Sequence, residues 1–224
     1  MPLPSLVIFD CDGVLVDSEI LSADVLISEL AALNIRIDRA HVRANYVGRS
    51  FPTVARLISE AFATPLPADF EMRYRNALLA RFETDLSATR GVDAMLASLT
   101  LPKAVATSSS PPRVARSLAI TGLARHFGAD VFTASQVPRG KPFPDIFLAV
   151  AERFQTPPAE CLVIEDSLPG IEAGLAAGMT VLAYVGGSHM RGQVFAPPPG
   201  VRTFDNWEDF PQFLANWKSL KDPQ

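Results

Sequence analysis

Histidine and cysteine are scarce in this chain, at three and two among 224 residues. His41, His126 and His189 stand in no recognisable motif and read as structural or solvent-facing residues. Cys11 and Cys161 each lie in or beside an apolar run, so they read as small buried residues kept reduced, without a disulfide. A reducing cytoplasm is the expected compartment. Cys11 stands between Asp10 and Asp12, whose negative field raises its thiol pKa and makes it a poor nucleophile. No basic stripe accompanies the net charge of −4, so nucleic acid is not an expected partner. No apolar run approaches the roughly 18 residues of a membrane span, so no membrane association is expected. A basic stretch followed by a long apolar one is missing near residue 1, so no secretory signal is expected. Internal repeats are absent, and nothing requires more than a monomer.

What remains is 48% hydrophobic and 20% charged, enough to form a substantial core. The most informative stretch is Leu6 to Ser18, LVIFDCDGVLVDS. Leu6-Val7-Ile8-Phe9 suits a strand buried on both faces. Asp10 and Asp12 follow at once, and two carboxylates beside a buried strand are costly unless a cation or hydrogen bonds compensate them. Gly13 permits a tight turn, Val14-Leu15-Val16 reads as a second extended piece, and Asp17-Ser18 offers oxygens to cap a helix.

From Glu19 to about residue 88 the periodicity is helical throughout. Helices are expected over Glu19 to Leu33, Asp38 to Tyr46, Phe51 to Phe62 and Asp69 to Phe82, which together read as a small four-helix bundle. From Gly91 strands and helices alternate, the pattern of a parallel sheet with crossovers. The expected strands are Lys103 to Ala106, Asp130 to Thr133, Cys161 to Ile164 and Thr180 to Tyr184. Glu208 to Trp217 reads as a last helix, with Pro211 tolerated in its first turn. The expected architecture is therefore α/β. Residues 1–17 and 89–224 form the sheet domain, and residues 18–88 form a helical insertion after the first strand.

Open parallel sheets bind ligands beyond the carboxyl ends of their strands. Asp10 and Asp12 follow the first strand, Thr107 and Ser108 the second, Lys141 the third, and Glu165 and Asp166 the fourth. Each alone reads as a cap, a turn or a solvated residue; four strand ends in register do not. The set fits phosphoryl transfer, with Asp10 as the nucleophile and Asp12 as acid and base, its pKa raised by the acidic cluster. Asp166 with Asp10 suits a hard cation such as Mg²⁺. Thr107 and the Ser108 amide suit phosphate oxygens beside a helix N-terminus, and Lys141 suits developing negative charge.

Four motifs carry a resemblance. They are Asp10-Cys11-Asp12-Gly13-Val14-Leu15-Val16-Asp17-Ser18, Val105-Ala106-Thr107-Ser108, Gly140-Lys141-Pro142, and Val163-Ile164-Glu165-Asp166-Ser167 with Gly170. The chain resembles the haloacid dehalogenase superfamily, in its β-phosphoglucomutase-like phosphatase branch. The resemblance implies a Rossmann-like core with a helical cap inserted after the first strand, and Mg²⁺-dependent phosphoryl transfer on a small phosphorylated metabolite. It implies Asp10 as nucleophile, Asp12 as acid and base, Thr107 and Ser108 with Lys141 at the phosphate, and Asp166 at the metal. It also implies that Asp12 offers its backbone carbonyl to the metal, and that Glu165 serves the metal site as in the mutases. Dehalogenases of this fold lack the second aspartate, so Asp12 argues against them. The mutases carry a histidine where Ser22 stands, and a lysine and arginine where Val47 and Phe51 stand. Arg49 lies close enough to substitute, so the mutase remains the alternative to a phosphatase. Ser22 and the turn Val47-Gly48-Arg49-Ser50 are the candidate substrate-selecting cap residues. A binding module without catalysis is the reading from another class, opposed by the intact motif residues. A two-component receiver domain would place its acceptor aspartate after a later strand and lacks the insertion.

Overall fold

The computed structural model describes residues 3–217 and 220. Among these, six strands are formed: β1 (Leu6–Phe9), β2 (Lys103–Thr107), β3 (Val131–Thr133), β4 (Cys161–Glu165), β5 (Thr180–Tyr184) and β6 (Arg202–Phe204). They make one parallel sheet in the order β3-β2-β1-β4-β5-β6. The chain builds outward from β1 through β2 to β3, then returns to the other side of β1 for β4, β5 and β6. Strand order reverses at β1, and such a reversal opens a crevice at the carboxyl ends. Phe9 is in register with Val105 on one side and Ile164 on the other, so Asp10 and the ends of β2 and β4 arrive at one level.

The four β1 residues are fully buried, as a strand covered on both faces requires. Their side chains alternate between two layers. Val7 and Phe9 join the larger apolar cluster, with Val105, Leu162 and Ile164. Leu6 and Ile8 join the other, with Ile146, Phe147 and Val150 of α7 (Asp145–Arg153) and Ile171 and Ala173 of α8 (Leu168–Ala176). Close contact on that face depends on Gly174, where a Cβ would lie 2.7 Å from Val181 Cγ2.

Between β1 and α5 (Val92–Ser98) lie α1 (Glu19–Ala31), α2 (Arg39–Asn45), α3 (Phe51–Phe62) and α4 (Phe70–Asp85). The α4 face is made by Phe70, Tyr74, Leu78 and Phe82, a strict four-residue spacing, and all four are buried. This helix packs on α1 and on α6 (Pro111–Ile120). The Asp38 side chain caps α2, accepting from the His41 amide at 2.7 Å. Helix α9 (Phe210–Ala215) follows a single 3₁₀ turn at Trp207–Asp209, with Pro211 in its first turn. Trp207 Nε1 donates to Thr89 Oγ1 at 3.0 Å, which ties the tail to the point where the chain re-enters the sheet. No helix among the described residues is long and apolar enough to cross a membrane.

Two local expectations are corrected, and one strand was not expected. Val14-Leu15-Val16 is not an extended piece: the amides of Leu15 and Val16 both donate to Cys11 O, at 2.9 and 3.0 Å, and fold the segment into a tight loop. Ser18 occupies the cap position of α1 without capping it, because its hydroxyl donates to Asp12 instead. The edge strand β6 has only three residues, two of them exposed, too short and too polar to read as a strand.

Gly174→Ala should lower stability by about 1–3 kcal/mol, as overpacking does. Urea unfolding reads the loss, and an unchanged midpoint would contradict the close contact of α8 with the sheet.

Candidate active site

Asp10 continues the ladder beyond β1, its amide donating to Ile164 O at 2.9 Å. The chain then closes its loop through Gly13, whose amide donates to Val16 O at 2.8 Å. Gly13 has φ +80°, and a Cβ there would lie 1.9 Å from Asp166 Oδ2. Only glycine permits both the turn and the approach of that carboxylate. Thr89 holds the loop from the other side, with Oγ1 donating to Val14 O at 2.6 Å.

Lys141 is the centre of the site. Its ammonium donates to Asp10 Oδ1 at 2.5 Å, Glu165 Oε1 at 2.5 Å and Ala106 O at 3.0 Å. Burial alone would lower its pKa, but the carboxylates of Asp10 and Glu165 more than offset this and hold it above the ordinary lysine value. Glu165 is saturated on its other oxygen, which accepts from the amides of Asp166 and Ser167 and from the Ser167 hydroxyl at 3.0–3.2 Å. It lies flat over Gly170, where a Cβ would sit 1.8 Å from Oε1, and this explains the glycine three residues after Ser167.

Asp10, Glu165 and Asp166 are all buried, with ligand-bearing oxygens within 4.8 Å of one another. Burial pushes the carboxyls of Asp10 and Asp166 well above their ordinary range; neighbouring carboxylates add to this and Lys141 opposes it. Three carboxylates against one ammonium leave two negative charges uncompensated. Asp166 Oδ2 is buried without a hydrogen-bond partner. An all-oxygen donor set, an orphaned carboxylate oxygen and a deficit of two positive charges fit a divalent cation of the Mg²⁺ type.

Asp12 is paired differently. Its carboxylate accepts from Ser18 Oγ at 2.6 Å, Ser109 Oγ at 2.5 Å and Arg113 Nη2 at 2.6 Å. Burial alone would raise its pKa; the Arg113 guanidinium and the two hydroxyls outweigh burial and hold the carboxyl below its ordinary range. The expectation that the acidic cluster raises Asp12 is therefore overturned, and it is Asp10 and Asp166 that are raised. Arg113 also donates to Ser22 Oγ at 2.9 Å, joining α1 to this pair.

The structure brings the other expected residues to one cavity of about 600 Å³. Asp10, Asp12, Thr107, Ser108 and Lys141 line it from the sheet side; Ser22 and Val47 to Ser50 line it from the helical side. Thr107 is buried, and its Oγ1 accepts from the Ser109 amide at 3.0 Å. Ser108 Oγ donates to Gly48 O at 2.9 Å, a direct bond between the two walls. Glu165 and Asp166 lie outside this lining. Three residues escaped the sequence reading. Ser109 lies in the same serine run as Ser108, and Arg113 lies one turn into the helix after it, so proximity to a strand end was their signal. Glu19 also lines the cavity, and burial with the nearby Asp12 carboxylate pushes its carboxyl up to about 7.

A family model of haloacid dehalogenase-like hydrolases matches residues 4–178. The chain belongs to the haloacid dehalogenase-like hydrolases. Among curated relatives of this hydrolase, the 6-phosphogluconate phosphatase of Escherichia coli (strain K12) is 26% identical over 95% of this chain and 94% of its own. A haloacid dehalogenase-like protein of unknown function from Agrobacterium tumefaciens str. C58 superposes with a TM-score of 0.78 at 30% identity, covering 96% of this chain and 99% of its own. A HAD family hydrolase from Deinococcus radiodurans R1, solved with bound phosphate and sodium, superposes with a TM-score of 0.70 at 28% identity over the full length of both. The parallel sheet and these neighbours agree on an α/β, Rossmann-like core for the hydrolase.

Lys141→Met leaves the Asp10 and Glu165 carboxylates facing each other without their cation. In the presence of EDTA at neutral pH, stability should fall by about 3–5 kcal/mol, the cost of orphaning a buried charge. Urea unfolding of both proteins checks this, and equal stabilities would mean the ammonium does not hold the cluster.

Proposed function

We propose that this hydrolase is a Mg²⁺-dependent phosphatase acting on a small organic phosphate, a sugar phosphate by class, through a phosphoryl group carried on Asp10. The observation that carries the reading is the Asp10 carboxylate at the end of β1, facing the cavity and held by Lys141. The relative's name, a 6-phosphogluconate phosphatase, and the phosphate bound in the structural neighbour support the substrate class.

Asp10, Asp166 and the Asp12 backbone carbonyl are the groups that would hold the cation, with Glu165 supporting them through Lys141. When bound, a divalent cation supplies the positive charge that lets an ionised carboxylate approach an anionic phosphate. The free Asp10 oxygen attacks phosphorus, the ester P–O bond breaks, and the leaving oxygen takes its proton from Asp12. Asp12 then accepts a proton from the water that attacks the phosphoryl group and releases Asp10. Because Arg113, Ser109 and Ser18 favour the ionised form, the resting site presents Asp12 as a base; substrate binding has to supply the acid form for the first step. Lys141 holds Asp10 in place and offsets charge on the phosphoryl oxygens. Thr107 Oγ1 and the Ser108 amide bind those oxygens at the start of α6.

Residues 18–88 act in this reading as a cap over a core made by residues 1–17 and 89–224. The cap turn Val47-Gly48-Arg49-Ser50 and Ser22 select the substrate, because they line the wall facing Asp10. Phosphatase is favoured over mutase because Ser22 is engaged with Arg113 and offers no cation to a second phosphate.

Phosphate release from a panel of sugar and organic phosphates tests the reading. Wild type should turn over with Mg²⁺ and stop with EDTA. Asp10→Asn should be inactive, and Asp12→Asn slower by about 10²–10⁴-fold. Near-equal rates in wild type and Asp10→Asn would sink the mechanism. Preferred conversion of β-glucose 1-phosphate to its isomer with a bisphosphate activator would make it a mutase.

A further inference from the structure

Helix α1 turns one face to the cavity. Glu19, Ser22, Ala23 and Leu26, at positions i, i+3, i+4 and i+7, all line it. Ala23 and Leu26 are buried and apolar, and the Ser22 hydroxyl accepts from Arg113 Nη2 at 2.9 Å. Glu19 is the one charged residue on this face, at the first position of the helix. Its place is fixed from both sides. Ser18 before it donates to Asp12 Oδ1 at 2.6 Å, and Ser22 one turn later is held by the guanidinium that also donates to Asp12. Glu19 therefore stands near the carboxylate that serves the leaving oxygen in the proposed mechanism.

The Glu19 carboxylate is partly buried, and it makes no hydrogen bond or ion pair among the described residues. Most other charges of the lining are engaged. Asp10 pairs with Lys141 and Asp12 with Arg113. Arg56, Arg75 and Arg139 pair with Glu60, Glu71 and Asp145. Among the described lining residues, only Arg49 of the cap turn shares the condition of Glu19.

A carboxylate taken partly out of water without a donor is costly, and a ligand that brings a donor recovers that cost. The surroundings decide which donor. A second anion on the ligand is repelled by Glu19 and by Asp12. An ammonium would meet the Arg113 guanidinium, bonded to Ser22 one turn along the same face. A hydroxyl is neutral and donates, so it satisfies both constraints.

We propose that the Glu19 carboxylate accepts a hydrogen bond from a hydroxyl on the carbon chain of the substrate, near its ester oxygen, and so selects polyol phosphates over unhydroxylated ones. The inference rests on the phosphatase reading and adds to it a specificity-determining residue. A first-turn carboxylate also favours its helix through the dipole, a role that would not distinguish one substrate from another.

The test compares sorbitol 6-phosphate with hexyl phosphate, primary esters of equal chain length with and without hydroxyls, on the full chain with Mg²⁺. The readout is the ratio of their kcat/KM values in wild type, Glu19→Ala and Glu19→Gln. Wild type should favour sorbitol 6-phosphate by about tenfold or more, the worth of a hydrogen bond to a charged group. Glu19→Ala should lower that ratio by about tenfold or more, and Glu19→Gln, which keeps an acceptor oxygen, by less. A wild-type ratio near one, or a ratio that Glu19→Ala leaves unchanged, overturns the role of Glu19, while phosphate release itself keeps the phosphatase reading standing. No release by wild type from any phosphate of the wider panel overturns that reading and the proposal together. The wild-type ratio needs no variant, so misfolding of Glu19→Ala does not rescue the proposal.

Discussion

Lys141 stands buried between Asp10 and Glu165, and the carboxyl edge of the sheet is arranged around that contact. One ammonium cannot balance three buried carboxylates. Burial first, and the neighbouring carboxylates after it, push Asp10 and Asp166 toward their neutral forms against the pull of Lys141, and Asp166 Oδ2 is left without a hydrogen-bond partner. In the proposed reading, a divalent cation would relieve both costs. In that reading the cluster is completed by positive charge taken up after folding.

Topology makes the contact possible. With β1 between β2 and β4, Asp10 and Glu165 end neighbouring strands, and Lys141 reaches in from the long connection after β3. Glycine sets the clearances: Gly13 admits Asp166, and Gly170 admits Glu165. Asp12, only two residues from Asp10, is removed from this electrostatic competition by Arg113, Ser109 and Ser18. Two carboxylates on one short loop thus acquire opposite pKa shifts, set by their different partners. The same guanidinium reaches Ser22, so Asp12 is joined through Arg113 to the helical wall.

Much of this was legible in the sequence because it depends on local pattern. The apolar run Leu6 to Phe9 ending in an acid, the alternation of elements after Gly91, and polar residues after each strand place the site through the strand-end rule alone. What was not legible depends on partners distant in sequence. The pKa of Asp12 is set by Arg113, 101 residues away, so the acidic neighbours within the motif pointed in the wrong direction. Val14-Leu15-Val16 looked extended because its residues are apolar, but its backbone is claimed by Cys11 O and Thr89. β6 was missed because two of its three side chains face solvent at the sheet edge.

The central claim is that the buried cluster of Asp10, Glu165, Asp166 and Lys141 is completed by a divalent cation. Thermal unfolding of metal-free protein across a Mg²⁺ titration tests it most directly, without any assumption about substrate. An ion that binds only the folded chain adds stability as the logarithm of its concentration above Kd. Wild type should show a Tm that climbs steadily with Mg²⁺, and Asp166→Asn a Tm that does not respond. A wild-type Tm indifferent to millimolar Mg²⁺ would contradict the account.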